Sequence, residues 1–98
     1  MSASHLIVTA HIKSKPGQEE LTKTELTRLV APTLKEEGCI KYELHTSLND
    51  PTEFLFYEIW TSKEALDKHS QSPHIQAFRA VRGEFLDGSP RVELWNLS

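Results

Sequence analysis

The run EFLFYEIWT, Glu53 to Thr61, decides the fold. It is short, aromatic and rich in β-forming residues, so it predicts a strand. Successive side chains of a strand point to opposite faces. Leu55, Tyr57 and Ile59 therefore share one face, and Phe54, Phe56, Glu58 and Trp60 share the other. Both faces are apolar, so this strand needs two covers. Glu58 stands alone as a charge inside an apolar row, and burying a carboxylate is costly unless it is paired, hydrogen-bonded or neutral.

Downstream, TSKE (Thr61 to Glu64) matches a capping box, and a short helix over Lys63 to Ser70 follows. SPHIQAFRAVRGEFL then opens another helix. Ser72 suits its cap, Pro73 its first turn, and Ile75, Phe78, Val81 or Arg82, and Phe85 its buried face. DGSP is a loop, and RVELWNL (Arg91 to Leu97) is a strand. Upstream, NDPT turns the chain back to CIKYELHTSL, a strand from Cys39, and the pair reads as a hairpin. HLIVTAHIK (His5 to Lys13) is another strand. Between them, Gln18 to Glu37 carries Leu21, Leu26, Leu29, Val30 and Leu34 at helical spacing, with Gly38 as its stop. Pro32 falls inside that pattern and predicts a kink or restart there. The order β-α-β-β-α-β, with the second helix in two pieces, predicts an α+β, ferredoxin-like split βαβ arrangement. Helices cover one face of a four-stranded antiparallel sheet. The second apolar face predicts a cover from an identical subunit, making a homodimer.

Ninety-eight residues make a single domain, 1–98. The net charge of -3 argues against a nucleic-acid partner. No apolar stretch approaches the roughly 20 residues of a membrane span. The N-terminus lacks a signal-peptide pattern, and the one cysteine, Cys39, excludes an internal disulfide. Together these predict a cytoplasmic protein with no membrane partner.

The candidates for chemistry cluster between Glu58 and His74. In an apolar site the pKa of Glu58 should rise, which suits acid-base work at neutral pH. The competing role is a structural acid. His69 lies three residues after Leu66 on one helix face, so its ring should turn toward the sheet. His74 sits in a helix's first turn, where the dipole favours neutral imidazole; packing at a helix start is the competing role. Trp60, Phe54 and Phe56 are candidate walls for an aromatic ligand, against a role as plain core. Tyr42 is a candidate hydrogen-bond partner of a substrate oxygen, against the commoner role of a core tyrosine with a wet hydroxyl. Cys39 reads as a small buried residue, and His5, His11 and His45 as surface or dimer-face strand residues. The five-residue spacing of His69 and His74 does not fit one helix turn, and no Cys or Asp completes a ligand set, so no metal is expected. No phosphate loop or dinucleotide fingerprint is present.

Three stretches carry a family resemblance: IKSKPGQ after the first strand, LKEEGCIKYELHTS at the helix-strand junction, and FYEIWTSKEALDKHSQSPHIQAF. Across nearly the whole chain they resemble the antibiotic biosynthesis monooxygenase domain family, including its quinol-monooxygenase-like members. The resemblance implies a dimeric α+β barrel with a pocket between helices and sheet in each subunit. It also implies oxygenation of an electron-rich aromatic by molecular oxygen without metal, flavin or other cofactor. Haem-degrading relatives carry an asparagine and a haem-binding histidine where this chain has Ala10 and about Arg79, so haem degradation is not expected. Other relatives isomerise phosphorylated small sugars related to autoinducer-2. The expectation is thus a monooxygenase of a quinol or polycyclic phenol, with His69 as the base, oriented or charge-balanced by Glu58, and His74 returning a proton as the peroxide collapses. The alternatives are an isomerase of a small hydroxyketone and a non-catalytic barrel that binds a hydrophobic metabolite.

Overall fold

The computed structural model describes residues 5–98; the part of the N-terminal reading that falls on residues 1–4 lies outside them. The elements are β1 (Leu6–Lys13), α1 (Glu19–Thr27), α2 (Val30–Leu34), β2 (Cys39–Thr46), β3 (Glu53–Trp60), α3 (Lys63–Ser70), α4 (Pro73–Val81) and β4 (Arg91–Trp95), with a 3₁₀ turn at Arg82–Glu84. The four strands form one antiparallel sheet in the order β2-β3-β1-β4. This is the α+β, ferredoxin-like arrangement that the element order predicts.

β3 runs down the middle with its alternation intact. Phe54, Phe56, Glu58 and Trp60 are buried, while Leu55, Tyr57 and Ile59 are only half-buried on the outer face. Register places Val8 and Tyr42 on either side of Glu58. Tyr42 reaches that place through a bulge between Cys39 and Lys41, an irregularity that the sequence periodicity does not reveal. Were Ile40 paired in regular register after Cys39, Tyr42 would lie opposite Tyr57 on the outer face. Bulges re-aim side chains in this way.

Several local expectations need correction. The long helix breaks at Arg28–Leu29, not at Pro32, which sits in the first turn of α2. The ring of a proline collides with the carbonyl four residues earlier and its nitrogen cannot bond to it. That carbonyl belongs to Arg28. Leu26 and Leu29 are buried, but Leu21 and Leu34 are exposed, and Thr22 and Thr33 take inner positions. Thr22 satisfies its hydroxyl on Ser14 Oγ at 3.1 Å.

The α3 cap is Ser62, whose Oγ accepts from the Ala65 amide at 3.1 Å; the Thr61–Glu64 box does not form. Thr61 is still held by the sheet, its amide donating to the Gly38 carbonyl at 2.8 Å, so Ser62 is the first residue free to take cap geometry. Ser72 stands at the start of α4 but turns its hydroxyl onto the His69 carbonyl instead of capping. Val81 is exposed, and the chain tightens into the 3₁₀ turn that carries Phe85 into the core.

Candidate active site

A cavity of about 270 Å³ lies between the inner face of the sheet and the helices. Its wall is mainly apolar, with Val8, Ala10 and Phe56 from the sheet and Leu26, Leu29 and Phe78 from the helices. Glu58, Tyr42 and His69 open onto the same space. A larger hollow of about 480 Å³ lies by His11, His45, Phe54 and Arg91. None of the buried polar or charged side chains lines that hollow, so it lacks the chemistry of the smaller cavity.

Glu58 is 4% exposed. Its Oε1 accepts a hydrogen bond from Trp60 Nε1 at 2.8 Å. Burial pushes its pKa up from the usual 4.5 to about 7; the Trp60 bond pulls it down and the nearby Glu36 pushes it further up. Glu58 therefore holds a proton at mildly acidic pH and can give it up near neutrality. Trp60 is fully buried and contributes no wall to the cavity. Its place is behind Glu58 and against His69, with ring centroids 4.8 Å apart. Phe54 lines the outer hollow, not the cavity, while Phe56 lines the cavity and stacks on Tyr42 at 4.4 Å. Burial, then the charge of Glu58, raises the Tyr42 hydroxyl well above its ordinary range, so it remains a neutral phenol.

His69, on α3, is 7% exposed. Its partner is not Glu58 but Glu36, whose Oε2 lies 2.8 Å from His69 Nδ1. The same oxygen lies 2.9 Å from His74 Nε2. Thr33 Oγ1, 3.0 Å away, also bonds His74 Nε2. Glu36 is the residue that sequence reasoning missed, and it replaces Glu58 as the carboxylate that orients His69. A signal was present. A carboxylate in the last turn of a helix opposes the helix dipole, so an acid just before the stop glycine invites another explanation. Gly38 permits the placement. At φ +89° it turns the chain sharply, and the Cys39 amide bonds back to the Glu36 carbonyl at 3.2 Å.

The bond to Glu36 occupies Nδ1 and leaves Nε2 as the second ring nitrogen of a side chain that lines the cavity. Burial lowers the pKa of His69; Glu36 opposes this, by hydrogen bond and by charge, but does not reverse it. The imidazole is therefore neutral at pH 7 and able to accept a proton. His74 lies outside the cavity wall, on the far side of Glu36, and is half-buried. Cys39 is unsuited to nucleophilic work, since burial and then Glu36 raise its thiol to about 11.

Contrary to the expectation from the His69–His74 spacing, a candidate metal-ligand set is present. Glu36 enters from a different element and completes a set of three donors, whose ligand atoms lie within 4.8 Å of one another. Two imidazoles and a carboxylate are a donor set that a divalent transition ion accepts. The three also satisfy one another as a hydrogen-bonded group without an ion.

Comparison with known proteins agrees with the fold. Residues 5–81 match the family described as antibiotic biosynthesis monooxygenase. The chain is 31% identical over 98 aligned residues to the Escherichia coli K12 protein named "Probable quinol monooxygenase YgiN", covering 89% of this chain and 94% of that one. It is 27% identical over 93 residues to the Synechocystis protein named "Uncharacterized protein sll1783", and spans only 63% of that relative's length. The crystal structure of PA3566 from Pseudomonas aeruginosa superposes with a TM-score of 0.94 at 28% identity, covering all of this chain and 98% of the other. The chain belongs to the antibiotic biosynthesis monooxygenase family.

Proposed function

We propose that the protein is a cofactor-independent monooxygenase that oxidises a quinol or polycyclic phenol, acting in the cytoplasm as a homodimer. The observation that carries this reading is the pairing of two opposed groups on one apolar cavity. A neutral, carboxylate-oriented His69 stands on the helix side, and Glu58 with its raised pKa stands on the sheet side.

In the proposed reaction His69 takes the phenolic proton, and Glu36 stabilises the imidazolium that forms. The electron-rich anion then reduces molecular oxygen, so the substrate supplies all the electrons. Oxygen adds to ring carbon as a peroxide. Glu58 protonates the departing oxygen, the O–O bond breaks, water leaves, and the imidazolium's proton restores Glu58. A ring C–H becomes C–OH while the quinol becomes a quinone, so one quinol and one O₂ give one hydroxyquinone and one H₂O. Tyr42 donates to a substrate oxygen, and the apolar walls shield the anion and radical species from water. Trp60 and Phe54 act from outside the cavity, Trp60 by holding Glu58 and His69 in place.

Oxygen uptake with naphthohydroquinones and anthrones tests this reading, in chelator and again with added divalent metals. Enzyme-dependent uptake that survives chelation is expected. His69→Ala and Glu36→Gln should each lower kcat by about 100- to 10,000-fold, and His74→Ala by less. The rate should rise as His69 loses its proton and fall as Glu58 ionises near pH 7. Uptake abolished by chelator and restored by metal would instead assign Glu36, His69 and His74 to a metal. Conversion of a hydroxyketone without oxygen consumption would favour the isomerase reading.

A further inference from the structure

We propose that Arg79 and Arg82 form an anion subsite at the cavity, so that the substrate carries a carboxylate or phosphate group beside its aromatic body. This rests on the reading of the cavity as a substrate site and narrows its ligand.

Arg79 is on α4 and Arg82 opens the 3₁₀ turn that follows it. Three residues apart, they share one face of that segment, and both line the cavity that holds Glu58 and His69. Among the described residues, neither guanidinium lies within ion-pair distance of a carboxylate, although the chain has more acids than bases. Asp67, which also lines the cavity, is engaged by Lys63 at 2.6 Å.

Arg79 donates one bond to the Ser70 carbonyl at 3.2 Å, at the end of α3. That bond anchors the side chain and leaves most of its five N–H donors free. A guanidinium matches a carboxylate or phosphate in geometry as well as charge, through two parallel hydrogen bonds. Elsewhere on the wall Leu66, Ile75, Phe78 and Val92 offer apolar contact. A ligand that satisfies both regions has a flat apolar body and one anionic group at its edge. A neutral polycyclic phenol satisfies only the first.

The test is binding, measured by titration calorimetry at constant ionic strength with probes that oxygen does not consume. The probes are 1-hydroxy-2-naphthoate, 1-naphthyl phosphate and the neutral 1-naphthol. At least one anionic probe should bind the native protein about tenfold or more tightly than 1-naphthol. In Arg79→Gln/Arg82→Gln that preference should vanish while 1-naphthol binds as before. The better of the two anions identifies the group. Equal affinity for all three probes, or a preference that survives the double variant, overturns the anion subsite and leaves the cavity reading in place. No binding by any probe overturns both. Circular dichroism of the variant separates lost recognition from lost folding, and each arginine changed singly keeps the test decisive if the pair unfolds.

Discussion

Glu58 is held in the middle of the sheet with one hydrogen bond and no cation, so it folds at a cost that depends on pH. Its folded pKa of about 7 stands above its unfolded value near 4.5. Below pH 4.5 both states are protonated and the fold keeps its full stability. As pH rises through 7 the unfolded state has already released its proton and the folded state must follow, so stability is lost. The shift corresponds to about 3 kcal/mol. Glu58→Gln keeps an acceptor for Trp60 and removes the titration. Its urea-unfolding free energy should therefore gain on the native protein by about 3 kcal/mol between pH 4.5 and 8. Parallel pH curves for the two proteins would show that Glu58 is not buried as described. The unusual place of Glu58 was legible from alternation alone, and the Leu66–His69 spacing placed the imidazole on the cavity side. Glu36 was not legible in this way. It comes from 33 residues before His69, and no periodicity connects a helix terminus to a ring on another helix.

At the scale of elements, the turn that delivers Glu36 depends on Gly38. A Cβ there would fall 2.5 Å from Ala65 Cβ and 2.8 Å from Thr61 Oγ1, in a backbone conformation with φ +89° that other residues resist. Gly38→Ala must therefore push β2 away from the start of α3. A loss of about 2–4 kcal/mol is expected, with a fall in activity because Glu36 moves with the turn. Ser62→Ala removes the α3 cap and should cost about 1 kcal/mol with little change in rate. Glu64→Gln should change stability by less than about 0.5 kcal/mol, since Glu64 completes no capping box. Denaturant unfolding with unchanged m-values measures all three; if Glu64→Gln costs as much as Ser62→Ala, the cap assignment is wrong. The elements themselves were largely written in local pattern, and α3 has the bounds its sequence predicts. What pattern missed were effects across elements. The Arg28 carbonyl answers to a proline four residues on, the sheet keeps Thr61, and a bulge turns Tyr42 inward.

At the scale of the whole molecule, the outer face of the sheet remains to be covered. Leu55, Tyr57 and Ile59 stand there, half-buried, beside Ile7 and Thr9 of β1. Trp95 extends the patch across Ile7, about half exposed. On the β2 side Lys41, Glu43 and His45 bound it as a polar, mutually paired rim. β4 is open on its other face too, with Val92 and Leu94 exposed. An apolar centre with a polar border is the anatomy of a protein interface, and the sequence shows the need for a second cover without naming the surface that meets it. Self-association through this face is expected, since a closed two-fold contact matches a patch to itself. Sedimentation at micromolar concentration should show a dimer of the 11.2 kDa chain. Tyr57→Lys or Ile59→Glu should give monomers or aggregate, because a charge desolvated at an apolar contact has no partner. Glu20→Lys, a charge reversal on the exposed side of α1, should leave the assembly unchanged. A monomer throughout the micromolar range sinks the idea. A dimer that survives both charges on β3 would move the interface elsewhere, with the open faces of β4 as the next surface to probe.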